Sequence, residues 1–171
     1  MVRKVAARYP TAIDPAKVGR YPALTKSGGG YVWDEVLEYR VWCHPERGAP
    51  DHHDGDDYFL AFATYPRALA FARRTRGAEA PLVLVRQRQS IDEPTPGVYV
   101  HVKKVRITEW RVEWLSQSRR TPGMLRAFFA PDAPANRLEL LRGGSLHVAP
   151  APAPARARRP RARLARPRAR A

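Results

Sequence analysis

The densest chemistry in the 171-residue chain lies between Cys43 and Asp57, CHPERGAPDHHDGDD. One thiol, three imidazoles and five carboxylates fall within fifteen positions. Such a set could ligate zinc or manganese, with His52, His53, Asp54 and Asp56 as donors and Cys43 and His44 at hand. Zinc sites on loops use paired ligands at fixed spacing. Here there is a single thiol, and an adjacent His-His pair rarely sends both rings to one ion. The acids also lack the alternating order, closed by a distant Glu, of a calcium loop. The spacing favours a charged, solvated connection between two strands, with no metal; the four-residue ligand set is the alternative.

Nucleophilic chemistry finds little support. Cys43 and His44 are sequence neighbours and would point to opposite faces of a strand, so Cys43 reads as a small core residue. His101 and His147 have no neighbouring partner, and His101 is expected on the polar face of its strand. Lys26-Ser27 stands before Gly28-Gly29-Gly30, the reverse of a phosphate loop, which needs its lysine after the glycines and a helix to follow. A hinge is expected there. Trp110 and Trp114 would share one strand face with Val112, as sheet core. The mixed charges of Glu109, Arg111 and Glu113 opposite them argue against a base-stacking platform.

The elements that must position these residues follow from periodicity. Leu37, Tyr39, Val41 and Cys43 alternate with Glu38, Arg40 and Trp42, which predicts a half-buried strand. Pro45, Gly48, Pro50 and Gly55 punctuate the loop 44–57. A second strand is expected over 58–63, antiparallel to the first. Thr64 as N-cap, Pro66 in the first turn, an Ala68-Leu69-Phe71-Ala72 face, and Arg73, Arg74 and Arg76 before Gly77 predict a helix over 64–77. The apolar run 82–85 suits a strand covered on both faces. Residues 91–97 (IDEPTPG) read as a loop, 98–102 and 107–115 as strands, and 124–129 and 136–141 as short helices. Lys103 to Arg106 is either a turn or the middle of one bent strand. The order predicts an α+β fold: a mostly antiparallel sheet of four to five strands, one helix after the first hairpin, and short C-terminal helices.

Residues 1–30 read as an irregular leader, 31–145 as one domain and 146–171 as a disordered Ala/Pro/Arg-rich tail. The formal charge is +15. Eight arginines of the tail (Arg156, Arg158, Arg159, Arg161, Arg163, Arg166, Arg168 and Arg170) carry about half of it, with no acid among them. Such a segment would bind nucleic acid or another polyanion by releasing counterions, without sequence preference. One cysteine excludes an intrachain disulfide. No run approaches the roughly 18 apolar residues of a membrane span, and no signal-peptide core is evident. A cytoplasmic protein is expected.

Five stretches, YVWDEVLEYRVWCHPERGA (31–49), DDYFLAFATYPRALAFARRTRGAEAPLVLVRQ (56–87), IDEPTPGVYVHV (91–102), TEWRVEWL (108–115) and FFAPDAPANRLELLRG (128–143), resemble a family of small bacterial proteins identified as GNAT-type N-acetyltransferases. The likeness covers roughly 21–143. It implies acetyl-CoA as donor, an amine as acceptor, and a base such as Glu109, Glu113 or a loop histidine. The nearest counterpart of the family's pyrophosphate-binding motif is Arg74-Thr75-Arg76-Gly77-Ala78-Glu79. Two expectations therefore stand side by side: an acyl-CoA-dependent N-acetyltransferase, and a non-catalytic α+β module anchored to a polyanion by its tail.

Overall fold

The computed structural model describes residues 9–22, 29–116 and 119–142. Six strands are formed in chain order: β1 (Glu35–Cys43), β2 (Tyr58–Phe62), β3 (Leu82–Gln87), β4 (Ser90–Thr95), β5 (Val98–Val102) and β6 (Arg106–Arg111). Helix α1 (Tyr65–Arg74) follows β2, and the short helices α2 (Met124–Phe128) and α3 (Arg137–Leu141) are the last elements among the described residues. Four strands make an antiparallel sheet in the order β2-β1-β3-β6. The other two form a separate hairpin, β4-β5. The fold is α+β and mostly antiparallel.

β1 lies at the centre and is buried on both faces, which corrects the half-buried strand expected from its alternation. Toward α1 it presents Tyr39 and Val41, which pack with Val83, Val85, Trp110 and the fully buried Ala68 of the helix. A residue as small as Ala68 lets the helix lie close to the sheet. Thr64 occupies the N-cap position in an extended conformation, although its side chain makes no capping bond.

On the opposite face Glu38 and Arg40 are 0 % exposed. What covers them includes the leader. Residues 9–22 are irregular apart from a 3-10 turn at Pro15–Lys17, yet they are held along their length. Tyr9 packs edge-on against Tyr65 on the helix side. The Ala12 and Ile13 amides donate to Ala63 and Val36. The Gly19 amide then donates to Glu38 Oε2, and the Pro22 carbonyl accepts from Arg40.

Two further expectations are corrected. Residues 91–97, read as a loop, include most of β4, and Pro96-Gly97 makes the turn into β5. Proline is tolerated because Pro94 falls where the register between Asp92 and Thr95 slips, in a two-stranded hairpin with no further neighbour to receive an amide. The strand expected over 107–115 stops at Arg111, and Val112–Ser116 winds into a 3-10 helix. Trp114 reaches Trp110 edge-on across that turn, 6.1 Å between centroids, rather than from the same strand face. Lys103 to Val105 is the break between β5 and β6, which belong to different sheets.

A second, smaller core sits between the hairpin and the C-terminal helices. Val32, Ile91, Leu125, Phe128 and Leu141 form it, with Tyr99 and Phe129 packed alongside. Tyr99 and Phe128 meet edge-on at 5.0 Å.

Candidate functional site

Three clusters of chemistry-bearing side chains emerge from this frame. The first is the buried charge network on the far face of the sheet. Arg40 Nε donates to Glu38 Oε1 at 2.7 Å, and its Nη1 lies 3.6 Å from Glu109 Oε2. Trp42 Nε1 donates to Glu109 Oε1 at 2.6 Å, and Phe59 stacks under the guanidinium at 4.3 Å. Glu109 is therefore committed to a buried pair, with 2 % of its surface exposed. Glu113 is exposed on the 3-10 turn and faces Arg111. Among the described residues neither carboxylate lines either of the two main clefts, which weighs against both as the base implied by the resemblance.

The second is the acid–histidine loop. Residues 51–57 are all exposed, as a solvated connection requires, and His52 and His53 lean on the Tyr58 ring. The structure does not gather the set His52, His53, Asp54 and Asp56. Among the described residues it gathers His44, Glu46 and Asp57 instead. His44 is buried, and its Nε2 lies 2.8 Å from Glu79 Oε1. Burial would lower the His44 pKa, but the Asp57 and Glu79 carboxylates beside the ring outweigh that and raise it. Cys43 is buried in the core, as expected, and burial raises its thiol pKa.

The third cluster was not visible in the sequence. A cleft of about 760 Å³ opens between β5, the chain just before β4, and the segment leading into α2. His101 and Phe129 form one wall, stacked at 5.3 Å with ring planes 15° apart. Lys103, Arg120 and Arg126 line it, and among the described residues no carboxylate does. Arg120 is held by Asp34, with Nε and Nη2 each 2.7 Å from Oδ1. The Arg120 amide donates to the Trp33 carbonyl, and Arg119 Nε donates to the Asp34 carbonyl. These bonds tie the wall of the cleft to the start of β1. Among the described residues, Lys103 and Arg126 pair with no carboxylate.

His101, expected on a polar strand face, is half-buried here. Its Nε2 faces Gln89 Oε1 at 2.9 Å. Burial first, and the Lys103 charge second, lower its pKa below the ordinary value of 6.5, which favours the neutral ring. The Arg74–Glu79 stretch lies elsewhere, at the C-terminal end of α1, where carbonyls face outward and the helix dipole repels phosphate. Lys26, Ser27, Gly28, His147 and the eight tail arginines lie outside the described residues.

Comparisons with protein-family models, with curated proteins and with solved structures find no match to the chain.

Proposed function

We propose that the protein binds a phosphorylated ligand with a planar ring, such as a nucleotide or the nucleotide part of acetyl-CoA, in the His101–Phe129 cleft. One observation carries this reading: among the described residues three cationic side chains and a stacked ring pair line the cleft, and no carboxylate does. Lys103 and Arg126 meet the phosphates, since neither spends its charge on a neighbouring acid. The flat wall packs against the ring, the combination used wherever bases are held by stacking beside cations. The arginine tail adds a sequence-independent, salt-sensitive attraction to the same kind of polyanion. A cytoplasmic setting, where such ligands are abundant, fits this reading.

The test is calorimetric titration of the full chain with ADP at fixed ionic strength, repeated on Lys103→Ala and Arg126→Ala. The tail is common to all three proteins, so any difference reports on the cleft. Each substitution removes about 1.5 kcal/mol of charge-assisted bonding, about a tenfold loss of affinity. Equal affinities in all three proteins would overturn the proposal.

The second reading, N-acetyl transfer, is supported by the place of His101 in the cleft, where its neutral form is favoured. A neutral imidazole in a cationic cleft is suited to take the proton from an attacking amine. It predicts release of free CoA thiol from acetyl-CoA in the presence of an amine acceptor. At saturating acetyl-CoA that release should fall at least a hundredfold in His101→Ala, a loss beyond any weakening of binding from the missing ring of the stacked wall.

A further inference from the structure

We propose that the loop end of β1 and β2 holds a divalent transition-metal ion of the zinc class. His44 Nδ1, Asp57 and Glu46 are its ligands, and Glu79 is the carboxylate that orients the imidazole.

The starting observation is a buried nitrogen without a partner. His44 is 8 % exposed, and among the described residues its Nδ1 has no hydrogen-bond partner. Asp57 Oδ1 lies only 2.8 Å away, yet the contact lacks hydrogen-bond geometry. An imidazolium would donate Nδ1–H to Asp57, but that contact lacks hydrogen-bond geometry; with Nε2–H donated to Glu79, the Nδ1 lone pair is instead free for a cation that Asp57 shares. A cation set off the N–O line resolves both facts.

The spacing fits a metal. Ligands about 2.0–2.1 Å from a tetrahedral zinc lie about 3.3 Å from one another. The Nδ1–Asp57 distance of 2.8 Å and the Nδ1–Glu46 distance of 3.8 Å bracket that value. All three ligand atoms fall within 4.8 Å of one another. Two carboxylates balance a dication, and the imidazole donor selects zinc, cobalt or nickel over calcium and magnesium. Glu79 on the far nitrogen is the outer carboxylate that metal-bound histidines almost always carry.

The chain is built to hold this geometry. The His44 amide donates to the Gly77 carbonyl, and the His44 carbonyl accepts from Arg47 and Ala49. The 3-10 turn Pro45–Arg47 places Glu46 beside the ring. Asp57 immediately precedes β2, where Tyr58 is in register with Cys43. One competitor is present. Arg47 lies 3.4 Å from Glu46 and 3.2 Å from Glu79. Those side chains are about half exposed, and such a pair is worth little against a metal bond.

The test titrates the metal-free full chain with Co²⁺ alone, reading the visible bands of a tetrahedral site, and then displaces it with Zn²⁺. One equivalent should bind. Asp57→Asn and Glu46→Gln, both at exposed positions, should each weaken binding at least tenfold with circular dichroism unchanged. Glu79→Gln should weaken it about 10- to 100-fold. The double variant His52→Ala/His53→Ala should bind as the parent does. The proposal is overturned if the bands are absent, persist unchanged in Asp57→Asn, or vanish in the His52/His53 variant.

Discussion

Arg40 shows how much a single side chain can hold. Its guanidinium sits at 0 % exposure between Glu38 and Glu109, with the Phe59 ring beneath it. Removing one partner of a buried ion pair leaves an uncompensated charge and costs about 3–5 kcal/mol. Arg40→Ala should lose at least that much in urea unfolding, since it strands two carboxylates at once. A loss below 1 kcal/mol would mean that the network is not closed to water. His101 makes a second prediction at this scale. Its pKa is lowered by burial and by Lys103, so the folded state favours the neutral ring. Stability from this group is fully present above the unfolded value of 6.5 and is lost as pH falls through the lowered folded value. In a proton NMR titration the His101 ring should change charge below pH 6.5. Adding ADP should move that midpoint upward, because a bound anion favours the imidazolium.

At the scale of elements, the turns carry the constraint. Gly77 follows α1 at φ +72°, and a Cβ there would lie 2.5 Å from the Ala49 amide nitrogen and 2.8 Å from the His44 carbonyl oxygen. Both are backbone atoms of the loop that α1 closes upon. Gly97 in the β4-β5 turn has a similar φ of +80° but nothing within 4 Å. Gly97→Ala should therefore cost only the left-handed backbone term, about 1 kcal/mol. Gly77→Ala should cost at least about 2 kcal/mol, because strain and collision add. Thermal melts of the two variants separate these causes, and equal shifts would refute the packing argument. The hairpin also shows where periodicity loses its power. Its first strand reads Ser-Ile-Asp-Glu-Pro-Thr, with two acids and a proline, and only its pairing with the alternating valines of β5 makes it a strand. By contrast β2, α1 and β3 were legible from local pattern, and β1 was legible as a strand from its alternation although both its faces are buried. The break of β6 into a 3-10 turn at Val112 was not, since Val112, Trp114 and Leu115 are as apolar as a strand would need.

Across the whole molecule, the features hardest to read in the sequence join distant segments. The cleft draws on Gln89, His101, Lys103, Arg120, Arg126 and Phe129, no two of which form a recognisable motif. Glu38 and Arg40 looked like an outward polar face because nothing in their own strand announces that residues 19–22 close over them. The acid–histidine loop was legible as exposed chain, but the fold recruits His44 with Glu79, 35 positions away, in place of the neighbouring histidines. Charge also ties the start of β1 to β3 through Glu35, which pairs with Arg86 and Arg88. Burial would raise the Glu35 pKa, but the two guanidinium groups dominate and lower it. Its contribution is complete above the ordinary carboxylate value of 4.5 and is lost as pH falls through the lowered folded value. Glu35→Gln should therefore flatten the acid limb of the stability curve, measured by urea unfolding between pH 3 and 7. An unchanged limb would exclude this pair as a contributor.

The most direct test of the central claim is to map ADP onto the full chain by amide NMR. A ligand in the cleft should shift Lys103, Arg126 and Phe129 together, saturating at one equivalent. Shifts confined to residues 151–171, growing without saturation and vanishing with salt, would show that only the arginine tail attracts the phosphates and that the cleft is not a binding site.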